Sequence, residues 1–190
     1  LDERLRAFAA WAGGATILFL VQDFALVLLA TACLFTVLAP VSAVQRFAFY
    51  LVAIPCMPGF LEATVPFPGI NFLTIATYHK VAAFVILLPG LFFTAQRVRE
   101  WRFTAIDWCV IVFLLYATFI VSLSQNFTSG LRYGADQFLL IGLPYFFARR
   151  FIKTMEDVET CLRSFLIASI FLAAVALVST AKQWDMYRLF

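Results

Sequence analysis

Two uninterrupted apolar runs constrain this chain more than any other feature: Ala105 to Leu123 and Cys161 to Ala181. A bilayer core about 30 Å thick is crossed by roughly 20 apolar residues in a helix. Both runs reach that length with one charge each. Asp107 stands beside the start of the first, and Arg163, in the second, can snorkel to the near interface. Both are expected to be membrane helices. Composition points the same way: 64% of residues are hydrophobic, 13% are charged, and mean hydropathy is +0.94. Soluble domains run nearer half apolar and a quarter charged, so an ordinary soluble globule is excluded. Nucleic-acid binding is excluded as well. The net charge of +3 comes from 14 Lys and Arg against 11 Asp and Glu, scattered in short clusters with no basic footprint.

Further spans are shorter. Phe24 to Ala39 is bounded by Asp23 and Pro40, and Val81 to Ala95 gains length by borrowing Phe72 to Thr77. Three more, Ala7 to Val21, Phe47 to Leu61 and Phe138 to Ala148, read equally as half-spans or interfacial helices; the second contains Pro55 and Pro58, and the third needs residues 131–137 to reach full length. The expected fold is therefore all-α, a polytopic transmembrane helical bundle of about six to seven spans in a single domain, 1–190. Leu1 in place of Met, and a last stretch Gln183 to Phe190 without a polar tail, lead us to expect a piece of a longer protein.

Charge bias orients such a bundle. An N-in, C-out arrangement puts Arg4, Arg6, Arg46, Arg97, Arg99, Arg102, Arg149, Arg150, Lys153 and Arg163 in the cytoplasm, leaving Lys80, Arg132, Lys182 and Arg188 outside. Trp101 and Trp108 then bracket the inner boundary, and Trp184 lies just past an outer one. Arg4 and Arg6 precede an apolar run, but no small-residue cleavage site follows before Asp23, so a signal peptide is not expected. Cys33, Cys56, Cys109 and Cys161 show no CxxC spacing, which argues against both a disulfide frame and a zinc knuckle.

Two outer loops stand out. The stretch from Pro55 to Lys80 holds Pro55, Pro58, Pro66 and Pro68 with Gly59 and Gly69, and cannot be one straight helix. Backbone at membrane depth must be satisfied by protein or line a wet cavity. Val65 to Leu73 accordingly reads as a re-entrant or surface-lying segment roofing a vestibule, or as a plain loop dipping apolar residues into the interface. The second loop, Ser124 to Gln137, carries Arg132 and Asp136 four residues apart, on one helical face. They are either an exposed ion pair or, functionally, a site in which Arg132 clamps phosphate, since a guanidinium matches phosphate bidentately and stays charged. Lys80 and His79 supply a second cation and a titratable donor at the same face. A lone histidine without a cysteine or carboxylate cluster makes a poor metal site, and no cofactor is expected. Asn126, Phe127 and Thr128 form a glycosylation sequon, and Gly130 with Gly134 a GxxxG spacing at the membrane edge. On the inner face, Gln96 to Phe103 and Ala148 to Val158 are basic stretches suited to lipid headgroups. The two long spans hold no buried acid or base beyond Asp107 and Arg163, so the ion relay of a coupled transporter is not seen.

The order of these elements resembles a known family. A Pro-broken short span is followed by the outer run Val65, Pro66, Phe67, Pro68, Gly69, Ile70, Asn71, Phe72, then by a basic turn and by Asp107 opening a span. The Arg132 to Asp136 stretch comes next, and after it Leu143, Pro144, Tyr145, Phe146, Phe147, Ala148, Arg149, Arg150 leading to Met155, Glu156, Asp157. From Phe24 to Ala181 this resembles the N-terminal half of the O-antigen ligase and polymerase family. The resemblance implies a multi-pass protein of the bacterial inner membrane and a metal-independent glycosyltransferase. It would move a glycan from a polyprenyl pyrophosphate carrier to a glycan, lipid or protein acceptor at the periplasmic face. It also implies that the catalytic loop, rich in Arg and His, lies beyond these residues, leaving Arg132, with Lys80, His79 and Asp136, as the pyrophosphate-facing candidates. The alternative is a non-enzymatic membrane module: half of a lipid or solute transporter, or a structural envelope protein.

Overall fold

A computed structural model describes residues 24–56, 62–67, 70–93 and 103–182. Helix dominates, in the order α1 (Phe24–Leu38), α2 (Ala43–Cys56), α3 (Tyr78–Ala82), α4 (Leu88–Phe93), α5 (Ala105–Ser124), α6 (Phe127–Gln137), α7 (Leu143–Phe151) and α8 (Met155–Lys182). Two of them, α5 and α8, are long and apolar enough to cross a membrane. The expected span 7–21 lies outside the described residues.

Two pairs of helices are joined without a break. The π-helical turn Ala83–Leu87 links α3 to α4, and another, Phe138–Gly142, links α6 to α7, with right-handed helical dihedrals throughout the joints. The result is two rods, residues 78–93 and 127–151. Each π-turn immediately precedes a proline near the start of the next helix, Pro89 and Pro144. A proline inside a helix lacks an N–H and presses its ring on the carbonyl four residues back. Those carbonyls, on Val85 and Leu140, fall inside the π-turns, where the wider turn makes room. The two π-turns pack against each other.

One expectation is corrected here: the chain is not all-α. Strands β1 (Glu62–Phe67) and β2 (Ile70–Thr77) form an antiparallel hairpin pairing Glu62 with Thr77 and Phe67 with Ile70. Residues 72–77 therefore do not lengthen the helix that follows; Tyr78 to Lys80 do. Thr64, Val65, Thr74 and Ile75 are β-branched and suit a pleated ribbon. The pairing slips between Val65 and Phe67, where Pro66 has no N–H to give. Within the segment Val65 to Leu73, expected as re-entrant or surface-lying or as a plain loop, residues 65–67 and 70–73 belong to the two paired strands.

The apolar core lies where α1, α2, the 78–93 rod and α7 meet, around Tyr78, Ile86, Leu87, Leu143 and Phe147. Tyr78 keeps its hydroxyl satisfied by donating to the Ala53 carbonyl at 2.9 Å, and Phe147 stacks on Phe47 with centroids 5.9 Å apart. Helix α8 lies along α2 with Cys161 and Ala168 buried, and most of its other apolar side chains remain exposed.

Helices α5 and α6 run antiparallel at very short range. A Cβ on Gly130 would collide with the Ser122 side chain and stand 2.8 Å from the Ser122 Cα; one on Gly134 would come within 2.6 Å of Thr118 Oγ1. The GxxxG spacing is therefore the seam between two helices. Thr118 and Ser122 donate back to the carbonyls of Leu114 and Thr118, so neither hydroxyl is left unpaired in an apolar setting.

Candidate functional site

The rods carry the residues expected of a site to one end of the molecule. Lys80 lies at the start of the 78–93 rod, immediately after the hairpin, and α6 packs against β2. The Lys80 Nζ meets Asp136 Oδ2 at 2.7 Å and donates to the Ile75 carbonyl at 2.8 Å. Its side chain is 11% exposed and that of Asp136 27%, so this is a largely buried pair. Arg132 sits one turn before Asp136 on α6, half-buried, with its Nε shielded from solvent. His79 is half-buried and packs edge-on to Tyr78. Residues more than fifty positions apart are thus gathered at one end, with Lys80 already engaged by a carboxylate.

Truncating one partner of a buried ion pair strands the other. We expect Lys80→Met and Asp136→Leu each to destabilise the fold and the double variant to recover most of the loss. The coupling should be about 2 kcal/mol in a double-mutant cycle measured by reversible unfolding in micelles. Additive losses would mean that the pair contributes nothing.

At the opposite end sits a cluster built on Asp107. Thr104, in extended conformation, caps α5: its backbone N–H and its hydroxyl donate to Asp107 Oδ2 at 2.7 and 2.8 Å. The other oxygen, Oδ1, accepts from the Tyr145 hydroxyl at 2.8 Å and has Arg149 Nε at 3.5 Å. Asp107 is fully buried. It therefore closes the helix start and ties α5 to α7. Its sequence signal was the Thr104-x-x-Asp107 spacing of a capping box; its partners on α7 have no local signature.

Asn126 caps α6 by accepting from the Ser129 N–H at 2.7 Å, a role that accounts for it without reference to the sequon. Among the described residues, no three His, Cys, Asp or Glu side chains converge as metal ligands. Compared with known proteins, the chain matches no family model, no curated protein and no solved structure.

Proposed function

We propose that this chain is the N-terminal membrane scaffold of an O-antigen ligase-like glycosyltransferase. It would be embedded in a bacterial inner membrane as a bundle of six to seven spans, N-in and C-out. It would serve the transfer of a glycan from a polyprenyl pyrophosphate carrier to an acceptor at the periplasmic face. The observation that carries the reading is the Lys80–Asp136 ion pair, with His79 next to Lys80 in the chain and Arg132 one turn before Asp136 on α6, taken with the order of motifs along the chain. In such a transfer the bond from the sugar to the carrier pyrophosphate breaks as the acceptor hydroxyl attacks, and negative charge grows on the departing pyrophosphate. Fixed cations in a secluded place stabilise that charge. Arg132 is the residue assigned to this role.

In the full-length protein, Arg132→Ala is expected to lower transfer about a hundredfold while membrane insertion stays intact. A reconstituted assay with a lipid-linked glycan donor checks this. Undiminished transfer would remove Arg132 from the site. One observation favours the second reading, a non-enzymatic module: the Lys80 ammonium is already committed to Asp136 and to the Ile75 carbonyl. That reading predicts that the full-length protein shows no transfer with any lipid-linked glycan and that Arg132→Ala alters stability alone.

A further inference from the structure

Between α5 and the 127–151 rod runs an open groove of about 560 Å³, within the range of ~300–1,000 Å³ usual for ligand clefts. Its walls are apolar: Leu91, Phe103, Ile111, Ala135 and Phe146 lie along it, and the one polar side chain among the described lining residues is Thr118. That hydroxyl is spent on the Leu114 carbonyl. A sugar, nucleotide or peptide backbone laid here would bury hydroxyls or amides with nothing to bond, at a cost of a few kcal/mol for each. Only a hydrocarbon suits the walls.

Its dimensions narrow the occupant. From Leu131 to Phe146 the groove follows the 127–151 rod for roughly 20 Å at about 1.5 Å per residue, slightly more than the ~15 Å depth of one leaflet. Spreading 560 Å³ over that length leaves a cross-section of about 28 Å². That leaves room for an alkyl chain, and is narrower than the breadth of an α-helix, about 10–12 Å.

One end of the groove is polar. Phe103 and Phe146 are chain neighbours of Thr104 and Tyr145, two members of the Asp107 cluster, and Arg149 lies one turn beyond Phe146 on α7. Asp107 is fully buried, and its Oδ1, which accepts from Tyr145, also stands 3.5 Å from the Arg149 Nε; the rest of the Arg149 side chain reaches outward, 43% exposed. An apolar groove with a partly exposed guanidinium one helical turn beyond its lining residue Phe146 is complementary to one molecule with a long chain and an anionic phosphate head. We infer that this groove is a specific binding site for one anionic phospholipid, its acyl chain between α5 and the 127–151 rod and its phosphate on Arg149. The inference rests on the membrane-spanning reading of α5 and is independent of glycan transfer.

The test is native mass spectrometry of the full-length protein in detergent, with phosphatidylglycerol and phosphatidylcholine of identical acyl chains added in turn. The expected result is one retained phosphatidylglycerol, bound at least fivefold more tightly than phosphatidylcholine. Arg149→Gln should abolish that preference and Arg149→Lys keep most of it, while Ala135→Trp, which fills the groove, should release both lipids. Equal retention of the two lipids by the unaltered protein would overturn the inference, leaving only bulk solvating lipid. So would unchanged binding by Ala135→Trp, or full competition by glycerol phosphate, which has no chain. Failure to retain any lipid, with the groove filled by the chain itself or a second copy, also overturns it. Should Arg149→Gln not fold, the Arg149→Lys and Ala135→Trp variants decide.

Discussion

Asp107→Ala is expected to lower the apparent melting temperature of the protein in micelles by about 5–10 °C, the largest loss from any single polar side chain. The carboxylate receives the Thr104 amide, the Thr104 hydroxyl and the Tyr145 hydroxyl, all at 2.7 to 2.8 Å, with no exposure to solvent. Alanine removes the helix cap and strands three donors and the Arg149 charge together. Graded variants separate the contributions. Tyr145→Phe loses one hydrogen bond and leaves the cap, so its shift should be the smallest. Asp107→Asn keeps the shape but turns an amide donor toward groups that are themselves donors, and should fall between. A flat response across the three variants, followed by thermal unfolding monitored by circular dichroism, would mean that Asp107 is an interfacial charge with no structural task.

How far the sequence disclosed this arrangement depends on whether a signal is local. The helices at 105–123 and 161–181 were legible because a long unbroken apolar run is a local signal, and α5 and α8, both long and apolar enough to cross a membrane, cover them. The hairpin was not legible. Four prolines argued correctly against a straight helix, yet nothing within the loop said that residues 62–67 and 70–77 would find each other, since strand pairing is a relation between segments. The π-turns were likewise missed, although Leu88-Pro89-Gly90 and Gly142-Leu143-Pro144 carried the cue in each rod: a proline that a continuous helix accommodates only by widening the turn before it. At the candidate site, the spacing of Arg132 and Asp136 placed them on one helical face. It could not show that Asp136 would receive Lys80, which comes from a different rod. Asp107 stood out as a charge opening a span, and only the three-dimensional contact with Tyr145 revealed its second task. The glycine pair was judged from its surroundings, with Arg132 between the glycines, rather than from the Ser122 and Thr118 stripe against which it packs.

That seam gives the strongest steric prediction. Gly130→Leu should abolish assembly of α5 with α6, yielding protein that inserts in membranes but aggregates or unfolds on extraction. Overpacking a fitted interface typically costs about 1–3 kcal/mol, and more when backbone must move. Here the obstruction includes the Ser122 Cα and not only a side chain that can turn away. Gly134→Leu meets the Thr118 side chain, with no backbone atom of α5 among its nearest contacts, so its effect should be smaller, and Thr118→Gly should largely rescue it. Ser122→Gly should rescue Gly130→Leu only in part, because the Ser122 Cα stays 2.8 Å from the new Cβ. Monodispersity on gel filtration in detergent reads out all four variants. The order matters more than any single value: helices joined by lipid-facing side chains alone would tolerate both leucines equally. A close-packed seam instead ranks them by how near the opposing backbone lies, because small residues let membrane helices approach until dispersion and backbone contacts hold them.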